Sequence, residues 1–267
     1  MIDGSIHMNE KEKRNMTTDL PTEETVNAVI SAIPTNLPLQ EQIDMQVTQA
    51  AKYLPEEVAK QLNSHLEYLV TSSIAENALK ENELAPDFTL PDALGQQVTL
   101  SRLLEQGPVV LVFYRGGWCP YCTMALRAYQ KVLSEFKALG ATLVAISPML
   151  PDHTLSTVEK QQLTFPVLSD VGNQVARQFG LVFKMDEIGR SLYQQGGADL
   201  LKYNGDDSWE LPIPGTFLID QSRKLRLASV DANFFHRLDP SFVIARMKEL
   251  KGETDSTHMH QLMLYQN

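Results

Sequence analysis

The sequence predicts an α/β domain, with helices on both faces of a central sheet, preceded by a helical extension. From Leu84 onward, apolar runs of strand length alternate with amphipathic segments of helix length, which is typical of α/β architecture. Residues 39–82 instead carry apolar side chains at helical spacing. Both cysteines of the 267-residue chain stand together in GGWCPYC, residues 116–122, between a predicted strand and a predicted helix.

These patterns divide the chain into four segments. The first seven residues resemble a cloning-site junction and contribute nothing to the predicted fold. Residues 26–33 predict one short amphipathic piece in an otherwise polar N-terminal region. The segments are a flexible tail at 1–38, a helical extension at 39–83, the α/β domain at 84–250 and a C-terminal tail at 251–267, with His258 and His260.

The extension contains a helix with a well-marked start. Pro55 suits the first helical position, and the two glutamates that follow it suit the first turn. An apolar stripe then lies on one face of this helix, formed by Val58, Leu62, Leu66, Leu69 and Val70. The stripe must pack either on the α/β domain or on a second copy of the chain, so a homodimer through these helices is one expected arrangement.

Composition and charge exclude several classes of partner. The net charge of −10 is spread along the chain without a concentrated basic face, so nucleic acid and anionic membranes are not expected partners. No apolar run has the length needed to span a bilayer, and the N-terminus lacks the apolar core of a signal peptide. These features predict a cytoplasmic protein.

The α/β domain is expected to open with a hairpin, residues 88–90 and 98–100, around the turn-like sequence DALG. Residues 185–210 are expected as a polar, glycine-containing connection. The other predicted strands are 109–114, 141–146, 165–168, 216–220 and 225–230, and the predicted helices are one that ends at Gly140, then 155–163, 172–179 and 240–250.

The cysteine motif lies where a thiol becomes reactive. A buried strand is expected to end at Tyr114, the turn RGGW follows, and Cys119-Pro120-Tyr121-Cys122 opens the next helix. The helix dipole and the unpaired backbone N–H groups at this end favour a thiolate, which is the form that attacks disulfides and peroxides. A disulfide across so short a loop would stabilise the fold little, so its value would be chemical.

Two other interpretations of the cysteine pair are weaker. Half of a zinc site would require two further ligands at suitable spacing, and the histidines are isolated except for the tail pair. Two inert thiols in a core would fit poorly with Gly116, Gly117 and Pro120, which favour a surface turn. No metal or cofactor is therefore expected.

Four ordered motifs carry a resemblance to a known family. The runs APDFTLPDALGQQVTL, VVLVFYRGGWCPYC, FPVLSD and IPGTFLID resemble the peroxiredoxin-like branch (AhpC/TSA, redoxin) of the thioredoxin-fold superfamily. The resemblance covers about residues 84–250 and implies a thioredoxin fold, a redox-active disulfide between Cys119 and Cys122, and no cofactor. It also implies a peroxide or disulfide substrate and re-reduction by thioredoxin, glutaredoxin or a small thiol.

The sequence departs from the peroxiredoxin motif at three marker positions. The family pattern Pro-x-x-x-Thr-x-x-Cys places Arg115 at the proline, Cys119 at the threonine and Cys122 at the peroxidatic cysteine. The arginine that the family carries before its late core strand falls at Pro214. The polar groups that bind peroxide in the family are thus reduced to the sulfur.

A comparison with thioredoxins fits the same residues differently. Trp118 resembles the tryptophan before the first thioredoxin cysteine, and Pro214 resembles the cis-proline that faces the pair, which would leave the backbone of Ile213 free to pair with an extended substrate. The buried thioredoxin carboxylate corresponds to Phe113, so a proton would need another carrier. Glu210 is a candidate for that role, and Arg115 is a candidate for lowering a cysteine pKa; an ordinary polar loop and a solvated arginine are the alternatives.

Three functions remain open from the sequence. The preferred one is an antioxidant peroxidase, in which Cys122 or Cys119 becomes a sulfenic acid and the other cysteine condenses with it. The second is a thiol-disulfide oxidoreductase in which an exposed Cys119 attacks a protein or glutathione disulfide and Cys122 resolves the mixed disulfide. The third is a binding or assembly protein in which the redox pair switches the N-terminal helices.

Overall fold

The computed structural model of the chain describes residues 33–253. The amphipathic piece expected at 26–33, apart from Ile33, and the tail residues His258 and His260 lie outside this range. Within it, no helix combines the length and the apolar character that crossing a membrane would require.

Two short antiparallel pairs of strands flank a central sheet. The predicted hairpin is confirmed as β1 (Thr89–Pro91) and β2 (Gln97–Thr99), joined in register Leu90 to Val98. The second pair joins β6 (Val182–Lys184) to β7 (Glu210–Pro212).

The central sheet is mixed and has five strands. These are β3 (Val109–Phe113), β4 (Thr142–Ser147), β5 (Val167–Ser169), β8 (Gly215–Ile219) and β9 (Leu225–Val230). They lie side by side in the order β5-β4-β3-β8-β9. Strands β3, β4 and β5 are parallel, whereas β8 is antiparallel to β3 and to β9.

Helices cover both faces of the sheet, as the sequence predicts. The helices of the domain are α3 (Leu100–Leu104), α4 (Pro120–Lys131), α5 (Leu133–Ala138), α6 (Pro151–Gln161), α7 (Gln174–Gln178), α8 (Glu187–Gln195), α9 (Leu200–Asn204) and α10 (Pro240–Leu250). Even-numbered residues of β3, such as Val110, face a core built with α4, α5 and α10, while odd-numbered ones, such as Leu111, face α3 and α7. This alternation is the period-two geometry of a strand buried on both faces.

Two sequence expectations for the helices are wrong. The helix expected to run to Gly140 is interrupted at Val132, whose φ of −106° and ψ of 15° are not helical. The connection expected at 185–210 contains two helices, α8 and α9. Asp186 and Asp199 cap them by accepting hydrogen bonds from the backbone N–H groups of Gly189 and Lys202, which is ordinary N-cap chemistry.

The extension folds back on the domain. Its helices are α1 (Leu39–Ala51) and α2 (Glu56–Thr71), followed by a 3₁₀ turn at Ile74–Asn77. Helix α2 packs beside α8, burying Leu69 fully and covering Leu62 and Leu66, while Val70 stays 52% exposed. Most of the apolar stripe is thus used within one chain.

Helix α1 packs on the helix that carries the cysteines. Leu39 and Ile43 form one apolar cluster with Met124 and Ala125 of α4. The extension therefore reaches the neighbourhood of the predicted site from the N-terminal side of the chain.

Candidate active site

The cysteine pair lies where β3 passes into α4. Strand β3 ends at Phe113, and the backbone N–H of Tyr114 still bonds to the carbonyl of Ile146. Cys119 is the N-cap residue of α4, Pro120 occupies the first turn, and the carbonyl of Cys119 accepts the first helical hydrogen bond, from Thr123. Proline costs nothing here because its missing N–H has no intrahelical partner.

The two glycines allow the turn to pack tightly. A Cβ on Gly116 would lie 2.2 Å from Nε1 of Trp118, and a Cβ on Gly117 would lie 2.1 Å from Oγ1 of Thr157 on α6. Both distances are far inside van der Waals contact. The GG pair is therefore required by close approach of the turn to its neighbours.

Both cysteines are buried, which corrects the expectation of a surface turn with an exposed Cys119. Cys119 is 1% exposed and Cys122 is fully covered. Trp118 forms part of this cover, packing edge-on against Tyr193 with ring centroids 5.3 Å apart. Burial alone would favour the neutral thiols, so the charges around the sulfurs decide their state.

Arg115 contacts the first cysteine from inside the protein. The side chain is 3% exposed, and its Nη2 donates to the Cys119 sulfur at 3.1 Å. Its Nη1 donates to the hydroxyl of Tyr193 at 2.5 Å, and its Cζ lies 4.0 Å from the ring centroid of Phe234. Arg115 is thus a buried cation directed at sulfur, rather than a solvated side chain at a strand end.

Arg237 contacts the second cysteine from the other side. Its Nη2 lies 3.6 Å from the Cys122 sulfur, and its Nη1 donates to the carbonyls of Phe234 and His236. Sequence reasoning misses Arg237 because it lies 115 residues from Cys122, in a loop between β9 and α10 without a recognisable motif. Only the tertiary fold brings this arginine to the sulfur.

The surroundings favour the thiolate form of Cys122. Burial raises the pKa of its thiol, but the hydrogen bond from Cys119 and the charges of Arg237 and Arg115 outweigh burial and hold the pKa well below its usual value. Burial and the hydrogen bond to Cys122 raise the pKa of Cys119 well above its usual value, although Arg115 acts in the opposite direction. The two thiols therefore titrate as a coupled pair beside two cations, and the directions of the shifts favour the thiolate at Cys122.

A cavity of about 380 Å³ leads to Cys122. It lies between α4, the start of β8, the loop before α10 and helix α1, and its lining includes Tyr114, Cys122, Pro214, Thr216, Asp44 and Arg237. Cys119 is not among its lining residues. The cavity therefore borders Cys122 and not Cys119, although the Cys122 side chain is itself fully covered.

Pro214 borders the cavity, but the cis peptide bond expected before it is wrong. The described residues, 33–253, contain no cis peptide bond. The backbone N–H of Ile213 donates to the carbonyl of Leu181 at 2.8 Å. This donor is therefore already used and is not free to pair with an extended substrate.

Glu210 lies away from the cavity, and so does Trp209. The Glu210 carboxylate accepts from Nη2 of Arg177 at 2.6 Å, and neither Glu210 nor Trp209 is part of the cavity lining. Trp209 packs near Arg190, whose Cζ lies 5.8 Å from its ring. The structure thus brings Cys119, Cys122, Trp118, Arg115 and Pro214 together and leaves Glu210 in an ion pair elsewhere.

The chemistry of the site rests on sulfur and charge. Among residues 33–253, no cluster of three or more histidine, cysteine or acidic side chains is arranged to hold a metal ion. A thiolate with two arginines and a second thiol in contact can attack an electrophilic oxygen or sulfur and then form a disulfide.

Comparisons with known proteins agree with this chemistry. The model of the AhpC/TSA family matches residues 82–228. Peroxiredoxin Bcp of Escherichia coli K12 is 36% identical over 116 residues, which cover 43% of this chain and 73% of that protein. The chloroplastic peroxiredoxin Q of Sedum lineare is 34% identical over 143 residues, covering 52% of this chain and 76% of the relative.

Solved structures show the same fold. The crystal structure of peroxidoxin BcpB from Mycobacterium tuberculosis matches with a TM-score of 0.51 and 26% identity, over 64% of this chain and 98% of that one. A cysteine-to-serine mutant of peroxiredoxin 6 from Arenicola marina matches with a TM-score of 0.53 and 17% identity, over 65% and 74% of the two chains. The chain therefore belongs to the AhpC/TSA family and is a peroxiredoxin-like thiol oxidoreductase with a thioredoxin fold.

Proposed function

We propose that the chain reduces hydrogen peroxide or organic hydroperoxides with Cys122 as the sulfur that attacks first. One observation carries this assignment: Cys122 is among the residues that line the cavity, whereas Cys119 is not. The low pKa of Cys122 agrees with it, because a thiolate is required for the attack. The assignment also matches the position of the peroxidatic cysteine in the family motif.

In the first step, the Cys122 thiolate attacks the terminal oxygen of the hydroperoxide. A sulfur–oxygen bond forms, the peroxide O–O bond breaks, and the leaving alkoxide or hydroxide takes up a proton to become an alcohol or water. Cys122 becomes a sulfenic acid. Arg237, at 3.6 Å from the sulfur, is placed to stabilise negative charge on the departing oxygen.

In the second step, Cys119 resolves the sulfenic acid. Its sulfur attacks the Cys122 sulfur, a disulfide forms, and the hydroxyl leaves as water with the Cys119 proton. Arg115, at 3.1 Å from the Cys119 sulfur, stabilises this cysteine as it loses its proton. Thioredoxin, glutaredoxin or a small thiol then reduces the disulfide by exchange and is itself oxidised.

Disulfide exchange as the main activity has less support. It requires a nucleophilic Cys119 that a substrate disulfide can reach, whereas Cys119 lies outside the cavity lining and its pKa is raised well above the usual value. The redox switch of an assembly protein and the homodimer through α1 and α2 remain predictions. We place the protein in the cytoplasm, where a thiol pool keeps such cysteines reduced.

The assignment is tested with Cys119→Ser and Cys122→Ser. Each variant is treated with one equivalent of hydrogen peroxide or cumene hydroperoxide in the presence of dimedone, and the labelled residue is located by mass spectrometry. We expect a sulfenic acid adduct at Cys122 in Cys119→Ser and no peroxide consumption by Cys122→Ser. An adduct at Cys119 in Cys122→Ser, with peroxide turnover retained, would reverse the order of the two cysteines.

A further inference from the structure

The arginine at Cys122 belongs to a part of the chain outside the family match. That match begins at residue 82 and ends at residue 228, so it includes neither Arg237 nor helix α1. These two parts meet at the cavity, where Gln40 and Asp44 of α1 and Arg237 of the loop all belong to the lining. The site is thus completed by segments on either side of the family domain.

Gln40 contacts the arginine loop through both atoms of its amide. Its Oε1 accepts a hydrogen bond from the backbone N–H of Arg237 at 3.0 Å, and its Nε2 donates to the carbonyl of Phe235 at 3.3 Å. The same nitrogen donates to Asp44 at 2.8 Å, one turn further along α1. One side chain therefore holds the loop backbone at two points.

The loop in turn fixes the guanidinium. Nη1 of Arg237 donates to the carbonyls of Phe234 and His236, so the position of the cation depends on the backbone that Gln40 holds. An unrestrained arginine would sample many rotamers, and ordering it costs entropy. A loop already held in place reduces that cost.

Packing joins the loop to α1 and α4. The ring of Phe235 meets the ring of Tyr121 edge-on at 4.8 Å, and both pack against the cluster that contains Leu39 and Ile43. The backbone N–H of Leu39 donates to the side chain of Asp239 at 2.7 Å. Two residues of α1 thus make polar contacts with this loop. Those of Gln40 reach Arg237 itself and Phe235, whereas that of Leu39 reaches Asp239, next to α10.

We propose that Gln40 is a positioning residue, which holds the loop at 234–238 so that the Arg237 guanidinium stays against the Cys122 sulfur. The proposal rests on the proposed role of Cys122. The ionisable groups that act on this sulfur are Arg115, Arg237 and Cys119, with Tyr114 and Tyr193 nearby. The cavity is also lined by Asp44, Asp231 and His236. Tyr193 anchors Arg115 independently of Gln40, so the effect of losing Gln40 is partial.

The test compares Gln40→Ala, Gln40→Glu and the control Gln49→Ala. Gln49 lies near the end of the same helix, where its amide bonds to Lys52 at the surface. The pH midpoint of iodoacetamide alkylation at Cys122 is measured by mass spectrometry, together with kcat/KM for cumene hydroperoxide at pH 7.

We expect Gln40→Ala to move the midpoint to higher pH and to lower kcat/KM about threefold to tenfold, the range of one lost hydrogen bond. Gln40→Glu keeps an acceptor for the Arg237 N–H but sets its second oxygen against the Phe235 carbonyl and the Asp44 carboxylate, so it should move the midpoint at least as far as Gln40→Ala. Gln49→Ala should match wild type.

A double variant separates positioning from general support of the fold. If Gln40 acts through Arg237, Gln40→Ala/Arg237→Met should be no slower than Arg237→Met alone. Additive losses, or a lowered melting temperature with an unchanged midpoint in both Gln40 variants, would overturn the proposal. If the proposal for Gln40 fails in this way while Cys119→Ser still forms the sulfenic acid adduct at Cys122, the peroxidase assignment stands. If Cys119→Ser forms no such adduct, the peroxidase assignment and the role of Gln40 both fail.

Discussion

The hydroxyl of Tyr193 accepts a hydrogen bond from Nη1 of Arg115, while the other terminal nitrogen of this arginine contacts the Cys119 sulfur. Helix α8, which carries Tyr193, lies in the segment for which the sequence predicts only a polar connection. Burial raises the pKa of Tyr193 to about 12 even though Arg115 acts in the opposite direction, so the hydroxyl keeps its proton at neutral pH. A part of the chain without a sequence motif thus anchors a cation of the active site.

Replacing Tyr193 by phenylalanine should destabilise the fold more than it slows peroxide reduction. The change leaves a buried guanidinium N–H without its acceptor, which costs about 1–3 kcal/mol. The attack by Cys122 should be retained because Arg237 is unaffected. Urea unfolding and the rate of Cys122 sulfenylation measure the two effects, with Tyr203→Phe on α9 as the matched control. A loss of sulfenylation at unchanged stability would contradict this division of roles.

Replacing Arg237 by methionine should shift the pH dependence of the reaction. The positive charge helps to lower the pKa of Cys122, so its removal should raise the midpoint of thiolate formation. The rate of peroxide reduction should fall at pH 7 and recover partly as the pH rises through the new midpoint. Arg226→Met, which removes an arginine paired with Asp220, serves as the control. An unchanged midpoint would show that Arg237 does not act on the thiolate.

A methyl group at position 117 should destabilise the turn through one identifiable clash. The new Cβ would lie 2.1 Å from Oγ1 of Thr157, and relief of such overpacking typically costs about 1–3 kcal/mol. Removing that oxygen should restore part of the loss, so Gly117→Ala/Thr157→Ala should be more stable than the sum of the single changes predicts. Thermal unfolding of the four proteins tests this, and strict additivity would locate the strain elsewhere.

The burial of His65 against the domain should make docking of the extension sensitive to acid. His65 is fully buried, its Nδ1 lies 2.7 Å from the carboxylate, and burial lowers its pKa despite Asp186, with Arg115 also lowering it. The unfolded chain then binds a proton at higher pH than the folded chain. Stability is therefore complete above the ordinary histidine pKa of about 6.5 and falls as the pH drops towards the folded value.

The substitution His65→Gln should flatten this part of the stability curve. Urea unfolding between pH 7 and about pH 5 measures the slope, and His153→Gln provides a histidine outside the contact. If His65→Gln keeps the full slope of the wild type, another group is responsible.

The sequence predicts those parts of the molecule that depend on local patterns. The apolar run at Val109, the hairpin around DALG and the strand–turn–helix setting of Cys119 all follow from period and turn chemistry, and the structure confirms them. The motif alignment also assigns the peroxidatic position to Cys122, which is the cysteine that lines the cavity in the structure.

The parts that could not be predicted depend on contacts between distant segments. Arg237 reaches Cys122 across 115 positions, and no local signal distinguishes it from other loop arginines. The burial of Cys119 depends on α8, whose Tyr193 packs against Trp118. The polar composition of residues 185–210 gives no indication that this segment contains a helix. Pro214 stands where the family has an arginine, and the positive charge beside Cys122 comes instead from Arg237, which lies outside the family match. A comparison of motifs therefore detects the missing arginine but not Arg237.

The burial of both sulfurs has a kinetic consequence for the return half of the cycle. A hydroperoxide can pass through a cavity of about 380 Å³, but the thiol of a reducing protein is attached to a folded surface and cannot. The first turn of α4 must therefore open before a disulfide there can be exchanged, with an opening free energy well below that of global unfolding. At saturating protein reductant, turnover should level off at the frequency of this opening, whereas a small thiol that fits the cavity would not meet this limit.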